Sequence, residues 1–159
     1  MFAATALLLA RNEELIFKDK GELSVTRDRR DPETLVFTWR NEVEEPMARR
    51  FEDAYREWKS EGTRIIIDLH SPGGAIAEGE QVIRIIDRMK RNHIVGTRVR
   101  SRRACYSMCV PIYLQGETRY AAANARFMFH EPTAYDFYTG EKVDQPQFER
   151  DFTSRRFFE

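Results

Sequence analysis

The fold of this chain is decided by the stretch Ile65-Ile66-Ile67-Asp68-Leu69-His70-Ser71-Pro72-Gly73-Gly74. An apolar, β-branched run that stops at Ser-Pro-Gly-Gly is typical of a buried strand that ends in a loop at the edge of a sheet. Because glycine has no Cβ, the backbone amides of such a loop can approach a ligand closely. The stretch therefore predicts a buried strand followed by a loop that can bind an anion.

Helices and strands are predicted to alternate on both sides of this stretch. Before it, the apolar side chains between residues 47 and 58 recur at the spacing of one helix face. After it, the sequence predicts a helix over residues 77–91 and a strand over residues 93–97. Strand, helix and strand form a βαβ unit with a right-handed crossover, so the sheet is at least partly parallel. Further strands are predicted at residues 35–39, 118–122 and 127–130, and a shorter one at 23–27.

The charge totals indicate no general attraction to nucleic acid or to an anionic membrane. Lys and Arg together number 26, as do Asp and Glu, so the net charge is zero. No apolar run approaches the roughly 18 to 20 residues needed to span a bilayer, so no transmembrane segment is expected. Residues 1–10 have the length and the small-residue ending of a signal-peptide core but lack the preceding basic segment. A clipped signal and an ordinary first helix both remain open.

The two cysteines, Cys105 and Cys109, are four residues apart. Two thiols alone do not make a zinc site and no cluster of His or Cys lies near them, so no metal is predicted. We expect two small buried residues on one helix. A disulfide is the alternative, and it would indicate an oxidising compartment.

A serine, a histidine and a pair of glycines could together carry acyl-transfer chemistry. Ser107 needs a neighbouring base to be a nucleophile at neutral pH, and His130 has a side chain of suitable pKa. Gly73 and Gly74 could offer backbone amides to the oxyanion of a tetrahedral intermediate. Each feature also has an ordinary structural explanation: a helix N-cap, a strand-end histidine bonded to a carbonyl, and a tight turn.

Three motifs occur in a fixed order along the chain: Ile-Ile-Ile-Asp-Leu-His-Ser-Pro-Gly-Gly, then Cys-Tyr-Ser-Met-Cys, then Ala-Arg-Phe-Met-Phe-His-Glu-Pro. This order resembles the Clp protease proteolytic subunit family, whose fold is shared with the crotonases. In that family Asn-Ser-Pro-Gly-Gly follows a buried strand, the nucleophile lies in Ala-Ser-Met-Gly, and the base closes a strand of the type Arg-Val-Met-Ile-His-Gln-Pro. The cysteines around the serine look more like those of periplasmic relatives than of the cytoplasmic, ATPase-fed peptidase.

The resemblance implies a site made from five residues. Ser107 would be the nucleophile and His130 the general base. The amides of Gly73 and Met108 would form the oxyanion hole, and Gly74 would shape the loop. The implied reaction is the hydrolysis of peptide bonds in a peptide or protein substrate, without a cofactor.

The resemblance also implies an α/β fold of stacked βαβ units. Its core would span residues 35–132, after an N-terminal segment at 1–34 and before a loop and a short helix at 133–159. Relatives form rings, so a homo-oligomer is expected. A periplasmic or secreted location is expected, with the cytoplasm as the alternative. No nucleotide-binding motif is present, and an ATPase partner is not supported.

The aspartate that orients the histidine in the family is not evident in this sequence. In the family it lies far downstream, whereas this chain ends 29 residues after His130. We favour a truncated chain as the explanation. The alternatives are an acid recruited from Asp136 or Asp144, or a Ser-His dyad too weak for an efficient protease. A non-enzymatic assembly module and a crotonase-type acyl-CoA enzyme are the alternative functions.

Overall fold

The computed structural model describes residues 23–129 and the two short strands Ala134–Tyr135 and Lys142–Val143. The chain divides into two compact units, Met1–Met128 and Phe129–Glu159. The predictions for residues 1–10 and for a short C-terminal helix lie outside the described residues.

Strands and helices alternate along the first unit. In chain order the elements are β1 (Leu23–Arg27), β2 (Thr34–Trp39), α1 (Met47–Trp58), β3 (Arg64–Leu69), α2 (Ile76–Met89), β4 (Ile94–Val99), β5 (Ala104–Tyr106), α3 (Cys109–Leu114), β6 (Thr118–Ala121) and β7 (Arg126–Met128). The predicted βαβ unit is confirmed as β3, α2 and β4, because β3 and β4 pair in parallel. Every residue of β2 is buried, and four of its six side chains are apolar, as expected for a central strand covered on both faces.

Five strands form the main sheet, in the order β1-β2-β3-β4-β6. β2, β3, β4 and β6 are parallel to one another, and β1 pairs antiparallel with β2. The predictions of an α/β fold and of a partly parallel sheet are therefore confirmed. Because parallel strands end at the same edge, the loops that follow β2 and β3 leave the sheet side by side.

Helices cover one face of this sheet. Side chains alternate across a strand, so Leu35, Phe37 and Trp39 of β2 share the covered face, and all three are fully buried. Phe51 of α1 packs against this row, with its ring centroid 6.3 Å from those of Phe37 and Trp39. Burial of a side chain of this size stabilises the fold by roughly 1.5 to 3 kcal/mol. The core is thus centred on β2 and β3, next to the strand end that carries the Ser-Pro-Gly-Gly loop.

A buried carboxylate, that of Asp68, lies on the other face of the sheet, three residues before Ser71. Asp68 is only 3% exposed. Its Oδ2 accepts hydrogen bonds from Arg98 Nη2 at 2.8 Å and Arg98 Nε at 3.1 Å, and also from Arg100 Nε. These ion pairs join β3 to β4 and to the turn after β4. They offset the hydration that the Asp68 carboxylate loses when it is buried.

The second unit contains one described pair of strands. Strands β8 (Ala134–Tyr135) and β9 (Lys142–Val143) pair antiparallel. No helix in the described part of the chain is both long enough and apolar enough to cross a membrane.

Candidate active site

The loop after β3 is fastened to β5 by its backbone. Ser71 N donates to Ala104 O at 2.9 Å, and Ser71 O accepts from Tyr106 N at 3.0 Å. Gly73 and Gly74 then adopt φ angles of 93° and 153°, which other residues rarely adopt. The glycines at the end of the fold-determining stretch are therefore required by the backbone, and the loop is held against the strand that leads to Ser107.

Gly73 touches the backbone on either side of the candidate nucleophile. A Cβ placed on Gly73 would lie 2.6 Å from Ser107 Cβ and from Tyr106 O, and 3.0 Å from Met108 N. No side chain can occupy this space. The structure therefore brings together three of the residues predicted for the site, Gly73, Ser107 and Met108.

Ser107 lies at the junction of β5 and α3 in a left-handed backbone conformation, with φ 50°. Its N–H donates to Met128 O at 2.9 Å, and its carbonyl accepts from Val110 N at 2.9 Å. Within residues 23–129, the Ser107 hydroxyl makes no hydrogen bond to the first turn of α3, so its side chain does not cap this helix. A positive φ is uncommon outside glycine, and such conformations concentrate at functional sites.

The two candidate oxyanion donors differ in their hydrogen bonding. Within residues 23–129, the Met108 N–H has no hydrogen-bond acceptor, although the residue is only 4% exposed. The Gly73 N–H donates to Ser71 Oγ at 3.1 Å. A buried amide without a partner is costly, and one beside a nucleophile is suited to a developing negative charge. Met108 is thus the freer of the two donors.

The Met108 side chain packs against α2. A Cβ placed on Gly79 would lie 2.4 Å from both Met108 Cγ and Met108 Cε. The methionine side chain thus lies directly on the helix backbone, and a side chain at position 79 could not be added without displacing it. The sequence contained a signal for it, since glycine inside a helix costs about 1 kcal/mol relative to alanine and usually has a packing reason.

Cys105 and Cys109 form a disulfide, with their Cα atoms 5.2 Å apart. The expectation of two small buried residues on one helix is wrong about the helix, because Cys105 belongs to β5 and only Cys109 belongs to α3, and the alternative of a disulfide is confirmed. Both residues are fully buried. The bridge closes a five-residue ring with Ser107 at its centre.

A second histidine lies near the loop but has a different role. His70 is buried, and this burial holds its pKa below the usual value. Its Nδ1 lies 3.0 Å from Ala104 N and 3.3 Å from Ala104 O, so the ring bonds to the β5 backbone as an acceptor in one tautomer and as a donor in the other. His70 therefore helps to hold the loop against β5, at the position where the resembled family has asparagine.

His130, Asp136 and Asp144 lie outside the described residues, so their predicted roles stay predictions. Within the described part of the chain, no group of three or more His, Cys, Asp or Glu side chains could hold a metal ion. Sequence reasoning also missed the part of Ser71, whose backbone and hydroxyl both shape the loop.

Comparisons with known proteins identify the family and the fold. Residues 38–147 match the sequence profile of the family described as Clp protease, which covers more than two thirds of the chain. No curated protein matches the sequence significantly.

Solved structures with a similar fold include three proteases. A mutant ClpP1 from Listeria monocytogenes is 22% identical, with a TM-score of 0.56 over 62% of this chain and 57% of that chain. The ClpP protease catalytic domain from Plasmodium falciparum is 23% identical, with a TM-score of 0.54 over 61% and 53%. A mutant of the 1510-N membrane-bound stomatin-specific protease is 15% identical, with a TM-score of 0.63 over 74% and 57%. The likeness shows the fold, and the chain spans little more than half the length of each.

Proposed function

The chain belongs to the Clp protease family, and we propose that it is a serine peptidase with Ser107 as its nucleophile. In this proposal Ser107 Oγ attacks the carbonyl carbon of a peptide bond, and His130 takes the hydroxyl proton and passes it to the leaving amine. Water then attacks the acyl-enzyme, with His130 again as the base. The reaction needs no cofactor.

The observation that carries the proposal is the backbone of Ser107. A serine with φ 50° at a strand-to-helix junction resembles the sharp turn that presents the nucleophile in other serine hydrolases. Within residues 23–129, the Ser107 hydroxyl makes no hydrogen bond that would explain a serine at this position. A strained position occupied by a nucleophilic residue supports a chemical role.

We assign the oxyanion hole to the amides of Met108 and Gly73. The Met108 N–H has no acceptor within residues 23–129, and Gly73 lies in direct contact with the serine turn. The Gly73 N–H already donates to Ser71 Oγ, so it would share its hydrogen bond when an oxyanion forms. Loss of one such donor costs about 10²- to 10³-fold in rate.

The acid that orients His130 is the least defined part of the proposal. Asp136 and Asp144 are the candidates in this chain, and exchange of each for asparagine distinguishes them. A loss of about 10⁴-fold in activity with one of the two variants assigns the acid. Full activity in both variants favours a Ser-His dyad.

We also propose an oxidising compartment such as the periplasm, and self-association of the chain. The disulfide supports the first, because such bridges persist mainly outside reducing cytosol. The exposed residues of β6, an edge strand of the described sheet, support the second. Light scattering of the purified chain tests self-association, and a monomer at all concentrations contradicts it.

Labelling with a fluorophosphonate probe tests the nucleophile, because this probe phosphonylates an activated serine. We expect wild-type protein to be labelled at Ser107 and Ser107→Ala to be unlabelled, with hydrolysis of a fluorogenic casein lost in parallel. Ser101→Ala is the matched control, because Ser101 is exposed in the turn after β4 and has no role in the proposal. Labelling that persists in Ser107→Ala contradicts the assignment.

A further inference from the structure

We propose that the disulfide between Cys105 and Cys109 positions Ser107, and that the serine loses most of its reactivity when the bridge is broken. This inference rests on the proposed function of Ser107 and adds a redox dependence to it. The bridge joins the central residue of β5 to the first residue of α3, so it spans the turn that holds the serine.

The strand end of the bridge is held from two sides. Ser71 bonds to the backbone of Ala104 and of Tyr106, the residues that flank Cys105. On the other side, Cys105 is in register with Phe127 of β7. Cys105 therefore cannot shift without disturbing both β7 and the loop that contains Ser71 and Gly73.

The helix end of the bridge is held by packing. Cys109 is fully buried, and Val110 and Ile112 of the same short helix are at most 1% exposed. The disulfide fixes the separation of two anchored segments, which leaves the three residues between them few alternative conformations.

Ser107 is the residue of this ring that would relax most readily. Its left-handed conformation is unfavourable for an L-residue and persists only where the surroundings impose it. Once the bridge is broken, no covalent bond fixes the separation of Cys105 and Cys109, so the end of the strand and the start of the helix are free to move apart. The Ser107 hydroxyl and the Met108 amide, which lie between them, then lose their fixed orientation.

Reduction follows ordinary thiol-disulfide exchange. A dithiol reductant attacks one cysteine sulfur through its thiolate, and its second thiolate resolves the mixed disulfide. The reductant gives up two electrons and becomes a disulfide, while Cys105 and Cys109 become thiols. Because both residues are fully buried, reduction of the folded protein requires local opening and is slow.

The test compares wild-type protein with the double variant Cys105→Ala/Cys109→Ala, which lacks the bridge. Two quantities are measured: the rate constant of fluorophosphonate labelling of the folded protein, and amide hydrogen exchange in the peptide that covers residues 104–110. Ile86→Val is the control, because Ile86 is fully buried in α2, seven residues after Gly79, and its shortening destabilises the fold without changing any residue of the proposed site.

We expect the double variant to be labelled at least tenfold more slowly and its peptide 104–110 to exchange at least tenfold faster, while exchange in β3 is unchanged. Wild-type protein reduced with dithiothreitol should behave like the variant and recover after reoxidation. Labelling and exchange within twofold of wild type overturn the inference. If oxidised wild-type protein is not labelled at all, the proposed function fails, and the exchange data alone decide whether the bridge orders the turn.

Discussion

Replacement of Gly73 by alanine tests whether the loop after β3 and the serine turn form one site. The new Cβ would meet Ser107 Cβ and Tyr106 O at 2.6 Å and Met108 N at 3.0 Å. Carbon atoms in contact are normally about 3.5 to 4.0 Å apart, so the two backbones must separate by about 1 Å. The residue would also retain φ 93°, which costs an L-residue roughly 1 to 2 kcal/mol.

These distances set the size of the expected effect. A displacement of about 1 Å at a reacting group can reduce a rate about 10²-fold, and loss of one oxyanion donor reduces it by 10²- to 10³-fold. We therefore expect Gly73→Ala to lower the labelling rate constant of Ser107 at least 10²-fold. Strain and overpacking together should destabilise the fold by about 2 to 5 kcal/mol.

The assay measures the second-order rate constant of fluorophosphonate labelling, with the Ser107 peptide quantified by mass spectrometry and folding checked by urea denaturation. Ile86→Val serves as the control, since it should cost about 0.5 to 1.5 kcal/mol of stability and leave the rate constant unchanged. A folded Gly73→Ala protein that is labelled within threefold of wild type would refute the argument, because the loop would then not constrain the serine.

Three further predictions concern the surroundings of the site. Gly79→Ala should push the Met108 side chain away from α2 and lower the rate constant of Ser107 labelling at least tenfold. Alanine is the better helix former, so this loss would not come from a weaker helix. Labelling kinetics measure the rate constant, and thermal unfolding measures the stability of the same variant. His70→Asn, which keeps an acceptor at the Nδ1 position, should flatten the pH dependence of stability. In wild type the depressed pKa of the buried ring makes the free energy of unfolding fall as pH drops below about 6.5, and urea denaturation at pH 7.5 and 5.5 measures this difference. Asp68→Asn should lower the free energy of unfolding by about 1 to 3 kcal/mol, because its two arginine partners lose their counter-charge. Urea denaturation measures this loss. A loss smaller than that caused by an aspartate-to-asparagine change at an exposed position would contradict the prediction.

Local sequence pattern predicts the elements of the fold well where each element buries one continuous face. The spacing of the apolar side chains in α1 predicts a helix, and the β-branched run of β3 predicts a strand. Both elements form as predicted. The βαβ order then requires a parallel pairing of β3 with β4, which the structure contains. The Gly73 and Gly74 loop was also predictable, because only glycine tolerates its backbone.

The cysteines show why the same approach fails at the site. A spacing of four residues indicates a shared helix face only if both residues are helical, and Cys105 is instead in a strand. Its strand is set by pairing with Phe127 and with the Ser71 backbone, and both partners are distant in sequence. The disulfide and the strained conformation of Ser107 follow from these long-range contacts. A serine flanked by two cysteines at this spacing therefore indicates a strand-to-helix turn when a Gly-Gly loop precedes it in the sequence. The backbone of that loop packs against the turn, as Gly73 packs against Ser107 in this chain.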